Sequence, residues 1–441
     1  MIVMKFGGTS VRNADAMLKV AGIVQKARST NSRILVVLSA TSGTTSCLLD
    51  LARNAAQELD YTADYERIVA HHYQVADELH IDRSCIDALL AQCSQHLSAL
   101  SVLGECTDQS LDAIAGYGEL LSTTLFAELL RGRGIGCSWA DARQCIITDS
   151  TFSAATVDVE LAQAATSTLM QPLFDHSNIV VTQGFIASSS SGFPTTLGRG
   201  GSDYSAALMG SFLHASEIQI WTDVSGVYTC DPKVVSSAQP IDILPFDDVR
   251  TLALFGAKVL HPETILPAMT AGIPVRVLNT FQPEHPGTTI KHTSDYRNQL
   301  SAIALLQPCM RIHTTDAGKQ SLFAVSRVRN AVSFVASTKE GDTVIVHSQD
   351  NGVVSSINVA LVDHQHQWDA VALICVVGSG TSNMQMASTI ATALGEYTSV
   401  TFSSLIQPRC MLITVPIEHA RAACADLHQL LLLSSSSASD L

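Results

Sequence analysis

The chain lacks the usual markers of several function classes. Its 11 cysteines are scattered, with no C-x-x-C pair and no framework spacing, which argues against a disulfide scaffold or zinc ribbon and for reduced thiols. The 15 histidines, His71 and His72 included, form no H-E-x-x-H or similar ligand pattern, so they read as surface or helix-face residues. Positive charge is scarce: 26 Lys and Arg against 40 Asp and Glu leave a formal net charge of -14. So acidic a chain repels polyanions, which excludes nucleic acid as a partner, and any phosphate ligand must be held by a few local cations. Long apolar runs are also missing. The longest uncharged stretch, from about Val371 to Gly395, is broken by "GSGTSN" and strewn with Ser, Thr and Gln, so no membrane partner is expected. The N-terminus enters an apolar strand with no basic segment ahead of it, so no secretory leader is expected and a soluble, cytoplasmic protein is.

What is present reads as α/β. At 441 residues the chain is expected to form roughly two or three domains. "MIVMKF" and "RILVVLSA" read as buried strands, and "NADAMLKVAGIVQKAR" between them has apolar residues at helical spacing. That is a β-α-β unit, and it implies a mostly parallel sheet covered by helices. From about Cys47 to Leu130 the pattern is almost wholly helical, an excursion from the sheet. Strand signals return at "GCSWAD", "NIVVTQGFIA", "EIQIWTDVSGVYT" and "IPVRVLN", and the first domain is expected to span 1–293. Beyond the polar joint "HTSDYRNQ", the order strand, helix, strand, strand, helix occurs twice, as two small α+β (βαββαβ) modules within 299–441. The first module is placed at about 310–366, with "AGKQSLFAVSRV" as one helix; the second takes 299–309 plus 367–433, and 434–441 form a flexible tail.

Four stretches carry chemistry. "MKFGGTSV" sets Lys5 before Gly7 and Gly8, a phosphate cradle with its lysine ahead of the glycines rather than after them. "GRGGSDYSAALMG" offers Gly200 and Gly201 for close backbone approach, with a helix starting near Asp203 whose free N–H groups suit an anion. Either cluster alone is more often a tight turn; both on one α/β domain point to a phosphate ligand. In "WTDVSGVYTCDPKV" an apolar strand runs into Thr222 and Asp223, then Tyr228, Asp231 and Lys233. Loops beyond the carboxyl ends of parallel strands are where such proteins hold nucleotides. An Asx turn accounts for Asp231 and Pro232 but leaves Lys233 unexplained. In "FGAKVLHPETI", Lys258 alone reads as a solvated surface lysine.

Taken in order, "KFGGTSV", "VLSATSGTT", "GYGELLST", "GRGGSDYSA", "WTDVSGVYTCDP" and "FGAKVLHP" resemble the motifs of the aspartate kinases of the amino-acid kinase superfamily. The two C-terminal modules resemble the tandem ACT domains with which such kinases sense amino acids. The resemblance implies that ATP and L-aspartate give ADP and 4-phospho-L-aspartate, the entry to lysine, threonine and methionine synthesis. The chemistry of the residues is compatible with this. A carboxylate nucleophile with a pKa of about 4 is already ionised at neutral pH and needs no general base. Phosphoryl transfer then depends on charge neutralisation and in-line positioning.

Carried across these motifs, the resemblance implies catalytic roles for Lys5, Gly7, Gly8, Asp203 and Lys258, with Lys5 and the glycine N–H groups facing the transferring phosphate. ATP would be held by Lys5, Gly8, Thr222, Asp223, Tyr228, Lys233 and Lys258, and Mg2+ would arrive with the nucleotide. For aspartate, Arg199 offers a fork for the α-carboxylate, Glu119 with Asp203 nearby offers an anion for the ammonium, and Ser39 and Thr45 offer hydroxyls. Without the resemblance Glu119 reads as an exposed carboxylate on a helix.

The effector site departs from the family. In lysine-inhibited members, acidic residues on the second strand of the first ACT module and the turn after it meet the effector ammonium, and here Ser333 and Lys339 stand there. Thr314, Thr315, Asp316, Ser337 and Thr338 are the allosteric candidates, and lysine remains the first effector to consider. The strand "SAIALLQ" is expected to be lent to the second module, and ACT pairing implies a homodimer or a dimer of dimers. Two alternatives stay open: a kinase for another small acid, glutamate or an acetylated amino acid, and a catalytically silent amino-acid-sensing regulator.

Overall fold

The apolar runs Ile2–Phe6 (β1) and Ile34–Leu38 (β2) are buried along their whole length, as expected of strands covered on both faces of a parallel sheet. Between them lies α1 (Ala14–Arg28), whose N-cap Asn13 side chain accepts from the Ala16 N–H, with Asp15 in the first turn and Lys26 and Arg28 in the last. Cap and charges satisfy the free N–H groups and oppose the helix dipole. The computed structural model describes the chain apart from residues 258, 259, 261, 293–299, 339, 340, 348–350, 383, 396, 398–400, 404–408 and 437–441. It divides into two units, Met1–Gly226 with Glu263–His292, and Val227–Pro262 with Thr293–Leu441.

In the first unit a helical excursion follows β2: α2 (Thr44–Ala56), α3 (Thr62–Glu78), α4 (Ser84–Leu103), α5 (Asp108–Ala115) and α6 (Tyr117–Gly132). The chain returns through β3 (Ser138–Ala140), β4 (Ile147–Thr148), α7 (Val159–His176) and β5 (Ile179–Gln183). Then come β6 (Ile186–Ser189), β7 (Pro194–Thr196), α8 (Gly201–Phe212) and β8 (Glu217–Thr222). The next two elements, β9 (Ile243–Pro245) and α9 (Phe246–Leu254), belong to the second unit. The first unit resumes with α10 (Leu266–Thr270), β10 (Val275–Asn279) and β11 (Thr288–Lys291). The strands that this unit contributes to its main sheet run in the order β3-β5-β2-β1-β8-β10-β11, parallel except for β10 with β11. The chain leaves β1 toward β2 on one side and comes back to β8 on the other. That reversal opens a crevice beyond the carboxyl ends of β1 and β8, where α/β sheets bind ligands.

The second unit is built on an antiparallel sheet of order β13-β14-β12-β15-β17-β16. Its elements are β12 (Ala302–Thr314), α11 (Asp316–Ala324), α12 (Ser326–Arg329), β13 (Val332–Thr338), β14 (Gly341–His347) and α13 (Asn351–Ala360). After these come β15 (His366–Val377), α14 (Met384–Ala393), β16 (Thr401–Ser403), β17 (Cys410–Pro416) and α15 (Ala420–Ser436). The stretch "AGKQSLFAVSRV" is two helices, not one: Val325 is extended, with φ -86° and ψ 110°, a backbone that β-branched residues favour. β12 serves two halves. Ala302–Leu306 pairs with the end of β15 at Leu373–Val377, and Cys309–Thr314 pairs with both β14 and the start of β15. The register shifts between Leu306 and Cys309, where Pro308 has no N–H to give to the ladder.

Each half has its own core. One is centred on Ile312, Leu322, Val344 and Ile357; the other on Ile374, Ile390, Ile413 and Leu427, with Cys230 and Val235 packed into it. Val227–Pro262, expected to lie within a 1–293 domain, thus falls in the second unit. Its Asp248 is fully buried and accepts from Arg409 Nε at 2.7 Å, Arg409 Nη2 at 3.2 Å and Ser301 Oγ at 2.7 Å.

Candidate active site

The central strands of the first unit end in register: Phe6 lies beside Leu38 and Trp221, and Leu38 beside Gln183. The loops that follow enclose a cavity of about 590 Å³. Among the residues singled out from the sequence, Lys5, Gly7, Gly8, Ser39, Thr45, Glu119, Gly200, Gly201, Asp203, Thr222 and Asp223 line it.

Lys5 is the one charged residue of β1, and its Nζ lies 2.6 Å from Asp203 Oδ1 in the first turn of α8, with both side chains largely buried. The cavity wall therefore holds a cation neutralised by an anion. The loop after β1 is fixed by Gly7 N–H donating to Trp221 O at 3.2 Å and by Ser10 Oγ paired with Thr280 Oγ1 at 2.7 Å. A Cβ on Gly8 would lie 2.9 Å from Ala40 O, so this loop and the one after β2 approach as closely as they do only because the residue is glycine.

Glu119 sits in the first turn of α6 and is 3% exposed. Its Oε1 accepts from Ala40 N–H at 3.1 Å, while Oε2 has no hydrogen-bond partner among the described residues. Burial lifts its pKa to about 8, against a smaller opposing contribution from the Ala40 N–H. The contact needs Gly118 too, since a Cβ there would lie 2.7 Å from that of Ala40. Ser122 Oγ donates to Ser39 O at 2.8 Å, and Ser39 Oγ donates to Ser202 Oγ at 3.0 Å, tying the β2 loop to both α6 and α8.

The other candidates lie elsewhere. Arg199 is exposed between the cavity-lining Gly198 and Gly200 and makes no ion pair among the described residues. Tyr228 and Lys233 belong to the second unit, where Lys233 N–H donates to Asp231 Oδ1 at 2.8 Å in an Asx turn. Lys258 is outside the described residues. Of the allosteric candidates, Thr314 Oγ1 donates to Gln365 O at 3.2 Å, Thr315 caps α11 through Gly318 N–H, and Asp316 pairs with Lys319 at 3.0 Å. Ser337 and Thr338 have backbone places on β13, and Lys339 lies outside the described residues. Sequence reasoning did not single out Phe185 or Ser202, which also line the cavity. Ser202 was within reach, since it follows Gly201 in a quoted motif; Phe185 was hidden in a stretch read as a strand.

Residues 1–279 match the amino acid kinase family. The chain is 40% identical over 326 residues to lysine-sensitive aspartokinase 3 of Escherichia coli, covering 72% of this chain and 70% of that one. It is 31% identical to the aspartokinase of Chlamydia pneumoniae, over 97% of each chain. The crystal structure of E. coli aspartokinase III in complex with aspartate and ADP superposes with a TM-score of 0.80 at 29% identity, covering 98% of this chain and 100% of that one. Among the described residues, no helix is long and apolar enough to cross a membrane. The chain belongs to the amino acid kinase family, within its aspartokinases.

Proposed function

We propose that the first unit's cavity transfers the γ-phosphoryl group of ATP to the β-carboxylate of L-aspartate, giving ADP and 4-phospho-L-aspartate. The observation that carries this is Glu119: a buried carboxylate with an unpartnered oxygen, in the cavity that holds Lys5 and the glycine loops. An ammonium is the partner such an oxygen lacks, and its arrival favours the ionised carboxylate. Ser39 and Thr45 give hydroxyls to the same substrate, and Arg199, between the cavity-lining Gly198 and Gly200, is the fork for its α-carboxylate.

At the other end, the Gly8 N–H and the Lys5 ammonium face the phosphates, while Thr222 and Asp223 hold the nucleotide; the Gly7 N–H, expected to join them, is taken by Trp221 O. The reaction needs no base, because the attacking carboxylate is already ionised; Lys5 leaves Asp203 to meet the charge that spreads over the transferring group. Magnesium arriving with the nucleotide would supply charge neutralisation of the triphosphate. The cavity carries the oxygen donors that such a hard cation takes, Asp203 and Asp223, and a magnesium ion that keeps most of its waters needs no fuller cage.

Lysine is the effector this reading favours, supported by the lysine sensitivity named for the E. coli relative. The two α+β modules would sense it and pair the chains into a homodimer or a dimer of dimers. A cytoplasmic location, with ATP and aspartate at hand, fits this reading.

The test is ADP release with MgATP and hydroxylamine to trap the acyl phosphate, with aspartate, glutamate and N-acetylglutamate supplied singly. Aspartate-dependent hydroxamate is expected; turnover with glutamate but not aspartate would overturn the reading. Adding lysine, threonine or methionine to the same assay identifies the effector.

A further inference from the structure

Phe185 adopts a backbone conformation that an aromatic residue rarely takes, with φ +68°. The other non-glycine residues with positive φ are placed ordinarily: Glu58, His80 and His214 each lie two residues past a helix end, and Ser153 is in an exposed loop. Glycine would occupy position 185 without strain. The backbone is nonetheless held there from both sides, its N–H donating to Ser205 Oγ at 3.0 Å and its carbonyl accepting from Leu197 N–H at 2.9 Å. The ring is half-buried, unlike the fully buried Phe6 and Phe126, and it lines the cavity. It lies against the first turn of α8: a Cβ on Gly201 would come within 2.9 Å of Phe185 Cδ2.

In the proposed reaction this is the acceptor's end of the cavity. The preceding Gly184 donates its N–H to Leu38 O at 2.9 Å, next to Ser39, and Ser39 is bonded to Ser202 at 3.0 Å. Ala40, the next residue, holds Glu119. A strained residue at a functional site is kept by what its side chain does there. We infer that the Phe185 ring is the wall that limits acceptor length, admitting aspartate and excluding acids with one or more further methylenes. This rests on the aspartate kinase reading.

The test compares L-glutamate and L-2-aminoadipate as competitive inhibitors of aspartate phosphorylation in wild type, F185G and F185L, with a thermal melt of each. In F185G both inhibitors should bind about tenfold more tightly, the discrimination expected for one methylene in an apolar pocket. Its Tm should change little, because the strain relieved offsets the packing that the ring loses against α8. F185L should shift both inhibition constants the same way by a smaller factor, and it serves as the readout if F185G loses turnover. Unchanged constants in both variants overturn the inference. Wild type without aspartate-dependent hydroxamate would instead overturn the kinase reading, so the two failures are told apart.

Discussion

The paired charges of the second unit and the cavity of the first use polar residues in opposite ways. In the second, charged groups satisfy one another: Asp248 with Arg409 and Ser301, Arg311 with Asp369 at 2.6 Å and Thr414 at 3.2 Å, and Lys319 at 3.0 Å from both Asp316 and Asp342. In the cavity of the first, Glu119 keeps an oxygen without a partner among the described residues, and Lys5 holds an anion in the wall. Unmet polarity is costly in a protein interior unless a ligand later satisfies it. The contrast therefore separates residues that hold the fold from residues that wait for substrate.

Exchanging the two kinds of residue is the way to break this contrast. Lys5→Ala strands Asp203 beside an open cavity that water can enter, so it should cost less of the melt than a fully buried charge does, yet lower kcat about a thousandfold, because a cation about 4 Å from a phosphate charge contributes about 4 kcal/mol at an effective dielectric of about 20. Steady-state kinetics beside a thermal scan checks both halves. A large loss of Tm would move Lys5 into the structural class. Asp248→Ala should do the reverse. Stranding Arg409 and Ser301 costs about 3 kcal/mol of the second unit's stability, read by urea unfolding, while the fraction still folded at low temperature keeps its aspartate turnover.

Glu119 sharpens the contrast through pH. Burial raises its folded pKa to about 8 from the ordinary 4.5. The protonated form is thus favoured by folding, and this contribution is complete below the unfolded pKa and lost as pH rises through the folded one. Stability without ligand should fall between pH about 4.5 and about 8 and then level off, and Glu119→Gln should remove that component. Aspartate affinity should change the other way, rising with pH until Glu119 is ionised without help. The smallest effect belongs to Thr315→Ala, which loses the α11 cap and about 1 kcal/mol, seen as a lowered unfolding midpoint with kcat unchanged.

What the sequence showed follows from how local each feature is. β1 and β2 were legible as unbroken apolar runs, and the glycine loops because their chemistry lies within a few consecutive residues. Glu119 on its own read as exposed, since its burial depends on the Ala40 loop crossing it over Gly118, 79 residues away along the chain. The place of Val227–Pro262 in the second unit was equally hidden, because Asp248 and Arg409 are 161 residues apart. Arg199 shows a different limit: the motif names it as a ligand for the α-carboxylate, while its side chain is exposed and outside the cavity lining. Phe185 required the backbone itself, for no pattern of residue types announces a positive φ.

The measurement that tests the central claim most directly is calorimetry of aspartate binding at pH 7 in two buffers of different ionisation enthalpy, for wild type and Glu119→Gln. If Glu119 is the unmet group awaiting the substrate ammonium, wild type releases about one proton per aspartate bound and the variant releases none. Equal proton release by the two proteins, or none by wild type, would contradict the account.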